Sequence, residues 1–199
     1  MEKTVYYFEK PGRENTDACL KAAMDAAAQY GYAHIVVATT GGDTGLKFAR
    51  AFQNLDRGSS PGEGGGPVNV VCVTHSYGFK EPNSSELSPE TAREITQCGA
   101  RLYTGTMITH SLETALAGKF SGVYPTLLVA QTLRCLGQGV KVCCEITMMA
   151  ADAGLIPEGV ETLAVAGTGR GADTVCLMRP AVSKRFLELK VLEILAKPG

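Results

Sequence analysis

Two short runs of apolar, mostly β-branched residues, at 34–38 (HIVVA) and 68–73 (VNVVCV), most constrain what this chain can fold into. Both are apolar at nearly every position rather than at alternate positions, which is the pattern of a strand covered on both faces. Each run leads into a polar loop and then into a helical pattern. Buried strands separated by helices predict βαβ units, and therefore a mostly parallel sheet with helices on both faces.

The rest of the chain continues this alternation. Helices are predicted from 16 to about 29, from 46 to about 55, from 88 onward and over 125–136, and short strands at 5–8, 101–104, 162–166 and 174–178. We also predict a strand at 140–145 with a helix at 148–153, and a C-terminal strand at 186–196 whose alternating charges favour an edge position. No linker divides the chain, so 1–199 is predicted to be one α/β domain, with a flexible surface loop at 58–66 (GSSPGEGGG).

Composition limits the partners. The formal net charge of −1 gives no electrostatic reason to expect a nucleic acid or an anionic membrane. The seven cysteines form no Cys-x-x-Cys motif and have no histidine at zinc-ligand spacing, so we expect free thiols in a reducing compartment and no metal site. The sequence has no signal-peptide pattern and no apolar stretch of membrane-spanning length. We therefore expect a cytoplasmic protein, and a homo-oligomer remains open.

Four loops that follow predicted strands carry small polar residues and glycines, at 39–45, 74–79, 104–106 and 167–174. Ligands of open α/β sheets bind beyond the carboxyl ends of the strands, so we expect these loops to converge on one rim. The candidate ligand-binding residues in them are Thr39, Thr40, Gly41, Gly42, Asp43, Thr44, His75, Ser76, Gly78, Thr104, Gly105, Thr106, Gly167, Thr168, Gly169, Arg170, Gly171, Asp173 and Thr174.

The first of these loops, 39–45 (TTGGDTG), joins a buried strand to the start of a helix. Free N–H groups and the helix dipole favour an anion there, glycines allow close backbone approach, and threonine hydroxyls add donors. Asp43 would repel a phosphate, so it either caps the helix or accepts a hydrogen bond from a ligand hydroxyl or amide. The alternative is a plain strand-to-helix turn without a ligand.

The last loop, 167–174 (GTGRGADT), combines three glycines with one guanidinium. Arg170 can hold a phosphate with two parallel hydrogen bonds, or it can pair with Asp173 or Asp43 and fix the shape of the loop.

One histidine is a candidate catalytic residue. His75 follows a predicted strand, where an acid/base imidazole can reach the rim, although a structural histidine is equally compatible with the sequence. Glu145 ends the predicted strand, so it either reaches the same rim or, as we favour, lies at the surface. Cys143 and Cys144 are expected in the core of the predicted strand at 140–145, on opposite faces.

Two motifs carry a family resemblance. The segment HIVVATTGGDTGLKFA, 34–49, resembles the first strand, effector-phosphate loop and helix of the pyruvate kinase C-terminal domain. The segment AVAGTGRGADT, 164–174, resembles the late strand and glycine loop of the same pocket. The whole chain, including MAADAGLIP at 149–157, is similar to a stand-alone family of uncharacterised, mainly archaeal and bacterial proteins with that fold. This resemblance implies a three-layer α/β/α sandwich without the catalytic barrel, and hence no pyruvate kinase activity.

The resemblance also implies ligands. The pocket receives a sugar phosphate in pyruvate kinase, and members of the stand-alone family are associated with FMN. Thr39, Thr40, Gly41, Gly42 and Thr44 match the phosphate loop, and 169–173 matches the closing loop. Asp43 departs from the kinase pattern, where a basic or neutral residue is usual, which favours a ligand with a single phosphate.

Three functional hypotheses follow. The first is a sensor or carrier module that binds a phosphorylated small molecule, with FMN as the leading candidate. The second is a flavin-dependent or phospho-metabolite enzyme with His75 as its acid/base. The third is a structural subunit with a vestigial pocket.

Overall fold

The computed structural model describes residues 3–55 and 66–199. Within these ranges the strands form a single seven-stranded sheet with the order β1-β7-β6-β5-β2-β3-β4. The strands are β1 (Tyr6–Phe8), β2 (His34–Ala38), β3 (Asn69–Val73), β4 (Arg101–Tyr103), β5 (Thr162–Ala166), β6 (Thr174–Arg179) and β7 (Lys190–Pro198). The predicted surface loop at 58–66 falls, except for Gly66, outside the described residues.

The sheet is mostly parallel, as the sequence predicts. β2 pairs in parallel with β3 and β5, β3 with β4, and β1 with β7, whereas β6 is antiparallel to both of its neighbours. β6 is therefore the one reversed strand of this sheet. The carboxyl ends of β2, β3, β4 and β5 consequently meet at the same edge.

Helices cover both faces of the sheet. They are α1 (Thr16–Tyr30), α2 (Asp43–Phe52), α3 (Pro89–Gln97), α4 (Leu112–Phe120), α5 (Pro125–Arg134) and α6 (Gln138–Asp152), with short 3-10 helices at Arg13–Asn15 and Ser183–Glu188. α1, α2 and α3 pack on the face that carries Ile35 and Val37, whereas α6 packs on the face that carries Val36. Side chains alternate along a strand, so one apolar run supplies both cores and produces three layers.

The local end signals act as predicted on two helices. Gly31 ends α1 in the left-handed conformation with φ of 73°, and its N–H reaches the carbonyl of Ala27. Ser88 caps α3 by accepting a hydrogen bond from the N–H of Thr91 at 3.1 Å.

Two predicted elements were wrong. The segment 140–145 is not a strand but part of α6, in which 12 of the 15 residues are buried. A helix buried on nearly all sides has apolar residues around most of its circumference, so the run at 140–145 resembles a buried strand in sequence. The C-terminal strand β7 is also not an edge, because β1 pairs with its outer side.

The α4 helix is unusual because none of its residues is buried. Leu112, Leu116 and Phe120 share one side of the helix at i, i+4 and i+8, and they are 78%, 40% and 70% exposed. No helix in the described residues is both long enough and apolar enough to cross a membrane.

All seven cysteines are free thiols. Burial raises the pKa values of Cys19, Cys72 and Cys144 to about 12, so these thiols stay protonated and behave as small apolar groups. Cys143 and Cys144 are buried as expected, but they lie on a helix and not on opposite faces of a strand.

Candidate functional site

A cleft of about 640 Å³ opens at the edge of the sheet where β2, β3 and β5 end. This volume lies within the range of about 300–1,000 Å³ that is typical of small-molecule sites. Two walls define the cleft. We call the loops 39–42 and 167–171 with the start of α2 the glycine wall. The cleft-lining residues of α6 form the α6 wall: Gln138, Lys141, Val142, Glu145, Ile146 and Met149.

The first loop of the glycine wall presents the N-terminus of α2. Gly42 is the N-cap, and the N–H of Gly45 donates to Thr39 Oγ1 at 3.1 Å, which fixes the loop against the helix. Asp43 and Thr44 begin the helix and line the cleft. Because the first backbone N–H groups of a helix have no carbonyl partner within it, this end can receive an anion.

Gly42 itself faces away from the cleft. It has φ of 102°, and an added Cβ would clash with Thr91 and lie 2.6 Å from Leu87 Cδ1. Gly41 is different, because the nearest atom to an added Cβ is the Glu86 carbonyl oxygen at 4.0 Å. The Gly42 backbone therefore serves the packing of α2 on α3, whereas Gly41 borders the cleft.

The second loop of the glycine wall is anchored by Asp173. This carboxylate is fully buried and accepts hydrogen bonds from the N–H of Gly12 at 3.1 Å, the N–H of Thr168 at 3.0 Å and the hydroxyl of Thr174 at 2.8 Å. Gly171 lies so close to the chain that an added Cβ would be 2.5 Å from Arg13 Cα. The anchor leaves Arg170 exposed on the loop, and among the described residues it has no acidic partner.

The α6 wall contains a buried ion pair. Lys141 Nζ donates to Glu145 Oε2 at 2.6 Å, one helical turn apart, and the two side chains are 4% and 3% exposed. The other oxygen of Glu145 accepts from the N–H of Thr109 at 2.8 Å and from its hydroxyl at 2.6 Å. The sequence-based expectation that Glu145 lies at the surface was wrong, because that expectation assumed a strand.

Opposing effects act on the pKa of Glu145. Burial would raise it, but the charge of Lys141 and the hydrogen bonds from Lys141 and Thr109 outweigh burial and lower the pKa below its ordinary value. Glu145 is therefore an ionised carboxylate in the core, and its charge holds the ammonium of Lys141 in place.

His75 also lines the cleft. Its Nδ1 lies 2.7 Å from Glu86 Oε2, and its ring contacts Phe79 at a centroid distance of 4.3 Å. A carboxylate at Nδ1 fixes the orientation of the imidazole and favours the tautomer with a proton on Nδ1.

Basic side chains outnumber acidic ones around the cleft. Five basic residues line it, Arg13, Lys47, Arg134, Lys141 and Arg170, against the three carboxylates Glu14, Asp43 and Glu145. Lys141 is neutralised by Glu145, and Lys47 pairs with Asp17. In the part of the chain that the structure describes, the three arginines have no acidic partner, so the cleft carries an excess of positive charge.

The structure brings ten of the predicted residues to the cleft: Thr39, Thr40, Gly41, Asp43, Thr44, His75, Gly167, Gly169, Arg170 and Gly171. Nine others do not line it: Gly42, Ser76, Gly78, Thr104, Gly105, Thr106, Thr168, Asp173 and Thr174. The predicted cap role of Asp43 is not observed, because Gly42 is the N-cap and Asp43 is the first helical residue. The predicted pairing of Arg170 with Asp173 or Asp43 is likewise not observed.

Sequence reasoning missed the basic residues Arg13, Lys47, Arg134 and Lys141 and, apart from the alternative that Glu145 reaches the rim, the α6 wall. One signal was available for that wall. Gln138, Lys141, Val142, Glu145, Ile146 and Met149 repeat at intervals of three and four, which matches one side of a helix. No group of three or more His, Cys, Asp or Glu within residues 3–55 and 66–199 could hold a metal ion.

Comparison with known proteins places this fold in a family. The family described as pyruvate kinase, alpha/beta domain, matches residues 17–178. Two solved pyruvate kinases from Cryptosporidium parvum are similar, one with 16% identity and a TM-score of 0.41 and one, in complex with ADP, with 17% identity and a TM-score of 0.43. They match over 83% and 87% of this chain but only 23% and 25% of their own. The chain thus spans about a quarter of the length of these pyruvate kinases.

Proposed function

The chain belongs to the pyruvate kinase alpha/beta domain family, and from that premise we propose that it binds a small phosphorylated molecule in the cleft, as a sensor or carrier. In this proposal the N-terminus of α2 and Arg170, which line the same cleft, bind the phosphate. The observation that carries the proposal is that this helix end lines the same cleft as three arginines that lack an acidic partner in the described residues.

The chemistry of the cleft suits a phosphate monoester better than a bisphosphate. Arginine binds phosphate with two parallel hydrogen bonds, and the free N–H groups of a helix start add neutral donors. Asp43 stands at the same helix start and would repel a second phosphate. Its carboxylate instead suits a hydroxyl or amide donor in the rest of the ligand.

FMN is the candidate that fits these residues. Arg170 and the start of α2 would hold its phosphate, Asp43 would accept from a hydroxyl of its sugar-alcohol chain, and Val142, Ile146 and Met149 offer an apolar surface for a flat ring. When bound, a flavin supplies a ring that takes up and returns a hydride or single electrons.

Calorimetric titration with FMN and riboflavin tests the role of the phosphate. Arg170→Lys keeps the charge but loses the two-pronged geometry, so FMN affinity should fall by roughly 1–2 kcal/mol, and Arg170→Ala should cost roughly 2–3 kcal/mol. Riboflavin lacks the phosphate and should bind the wild type and both variants almost equally. Arg93→Ala, an exposed arginine of α3 outside the cleft, is the matched control and should change neither affinity.

Equal losses for FMN and riboflavin would contradict direct contact between Arg170 and phosphate. Unchanged FMN affinity in Arg170→Ala would show that this loop does not bind the phosphate.

A second function, a flavin-dependent or phospho-metabolite enzyme, is favoured by one observation, the contact of 2.7 Å between His75 Nδ1 and Glu86 Oε2. A carboxylate-oriented imidazole at a cleft is a suitable acid/base group. Photometric reduction of bound FMN by NADH or NADPH separates the two functions. An enzyme should reduce the flavin and lose at least tenfold in rate in His75→Gln, since general acid/base groups contribute about 10²–10⁴-fold. A carrier should show no reduction in either protein.

A further inference from the structure

The buried ammonium of Lys141 has more hydrogen-bond donors than the protein uses. Lysine carries three N–H donors, and within the described residues Nζ donates only to Glu145. Its side chain is 4% exposed, so bulk water has little access to the remaining donors. Lys141 nevertheless borders the cleft, where a ligand oxygen can approach it.

Glu145 cannot satisfy these donors further. One of its oxygens is bound by Lys141 and the other by the N–H and the hydroxyl of Thr109. Burying a charge is unfavourable unless it is paired and its hydrogen bonds are made, so the ammonium is arranged to receive another acceptor. Glu145 and Thr109 act as positioning residues for Lys141.

The surroundings of Lys141 define the acceptor. The other cleft-lining residues of the α6 wall include the apolar Val142, Ile146 and Met149. Arg134 lies beside one end of this wall, where its Nε donates to Gln138 Oε1 at 2.7 Å. The glycine wall combines a helix start with Arg170, which together suit a phosphate, whereas Val142, Ile146 and Met149 offer no group for one. The α6 wall is therefore suited to an apolar part of a ligand that carries one hydrogen-bond acceptor.

We infer that Lys141 is a ligand-binding residue that donates to a carbonyl-type oxygen on the apolar, non-phosphate part of the bound molecule. This inference rests on the proposed function for the phosphate end. It narrows the ligand class to an organic phosphate whose apolar part presents a carbonyl or similar acceptor oxygen.

The test compares a variant that removes both buried charges with one that removes only the charge of Glu145. Lys141→Met alone would leave Glu145 without its counter-ion, so the informative variant is Lys141→Met with Glu145→Gln, in which the amide oxygen still accepts from Thr109. The reference is Glu145→Gln alone, which keeps Lys141. Each protein is titrated with riboflavin, FMN and inorganic phosphate. Lys184→Met, an exposed lysine outside the cleft, is the control for loss of a positive charge.

We expect the double variant to bind riboflavin and FMN at least tenfold more weakly than Glu145→Gln, because it loses a hydrogen bond from a charged donor. Affinity for inorganic phosphate should change less than twofold, and Lys184→Met should match the wild type. Equal riboflavin affinities in the double variant and Glu145→Gln would overturn the inference, as would an equal loss of phosphate binding.

The two proposals fail differently. If the wild type binds phosphate in an Arg170-dependent way but binds neither flavin, the phosphate site stands and the role of Lys141 falls. If riboflavin binding depends on Lys141 while FMN binding is unaffected by Arg170→Ala, the role of Lys141 stands and the phosphate site falls.

Discussion

The two walls of the cleft present different chemical groups. The glycine wall offers backbone N–H groups and an exposed arginine, and its loops are held by contacts on the side away from the cleft, at Gly42 and Asp173. The α6 wall offers buried side chains, and Lys141 and Glu145 belong to the packed helix that covers the sheet. The cleft-facing chemistry of the glycine wall is thus separable from folding, whereas on the α6 wall a change to the site is also a change to the core.

The largest effect should come from breaking the ion pair of the α6 wall. Glu145→Ala leaves the Lys141 ammonium buried without a counter-charge, which should lower the free energy of unfolding by about 3–5 kcal/mol. Urea denaturation at neutral pH measures the loss. Glu81→Ala, an exposed glutamate before α3, should stay within about 0.5 kcal/mol of wild type. A loss below 1 kcal/mol in Glu145→Ala would show that the α6 wall is as separable from folding as the glycine wall.

The next effect separates two adjacent glycines of the glycine wall. Gly42→Val places a branched side chain at φ of 102° against Thr91 and Leu87, so it should lower the free energy of unfolding by roughly 2–4 kcal/mol. Gly41→Ala meets no atom closer than 4.0 Å, and its stability should change by less than about 0.5 kcal/mol. Thermal and urea unfolding of the pair measure the difference. Equal stabilities would contradict the packing role of Gly42.

The sequence predicts the glycine wall well because its signals are local. A buried β-branched strand, a run of glycines and a helix start lie within a dozen residues at 34–45, and turn chemistry does not depend on distant contacts. The sequence alone did not indicate which of the two adjacent glycines borders the cleft. Whether Gly41 or Gly42 faces the cleft depends on α3, which lies more than forty residues further along the chain.

The α6 wall was not predicted because burial removes the pattern on which prediction depends. The run VKVCCE at 140–145 is rich in β-branched and other apolar residues, which is typical of a buried strand. Its two charged residues fit no apolar face unless they pair with each other, and only the helical spacing of four brings Lys141 to Glu145. The position of β7 failed similarly, since its charges indicated an edge that β1 in fact covers.

A smaller effect concerns pH. The folded-state pKa of Glu145 lies below its ordinary value, so the ionised carboxylate stabilises the fold fully above the ordinary glutamate range. This stabilisation is lost as the pH falls through the lowered pKa. We expect the difference in unfolding free energy between the wild type and Glu145→Gln to stay constant from pH 7 down to the ordinary glutamate range and to shrink below it. A difference that is independent of pH would mean that Glu145 is not ionised in the folded protein.

The smallest effect comes from the hydroxyl that supports the pair. Thr109→Val removes the donor 2.6 Å from Glu145 Oε1 but keeps the backbone N–H at 2.8 Å, so the carboxylate stays ionised with one donor fewer. The free energy of unfolding should fall by about 1–2 kcal/mol, with exposed Thr106→Val as the control at wild-type stability. Because this hydroxyl helps to lower the pKa of Glu145, the acid loss of stability should also be smaller, and should end at a higher pH, than in the wild type. If Thr109→Val loses stability equally at every pH, the hydroxyl serves packing alone. In that case Lys141 and the backbone N–H of Thr109 would account for the ionisation of Glu145, and the Thr109 hydroxyl would have no part in positioning the α6 wall.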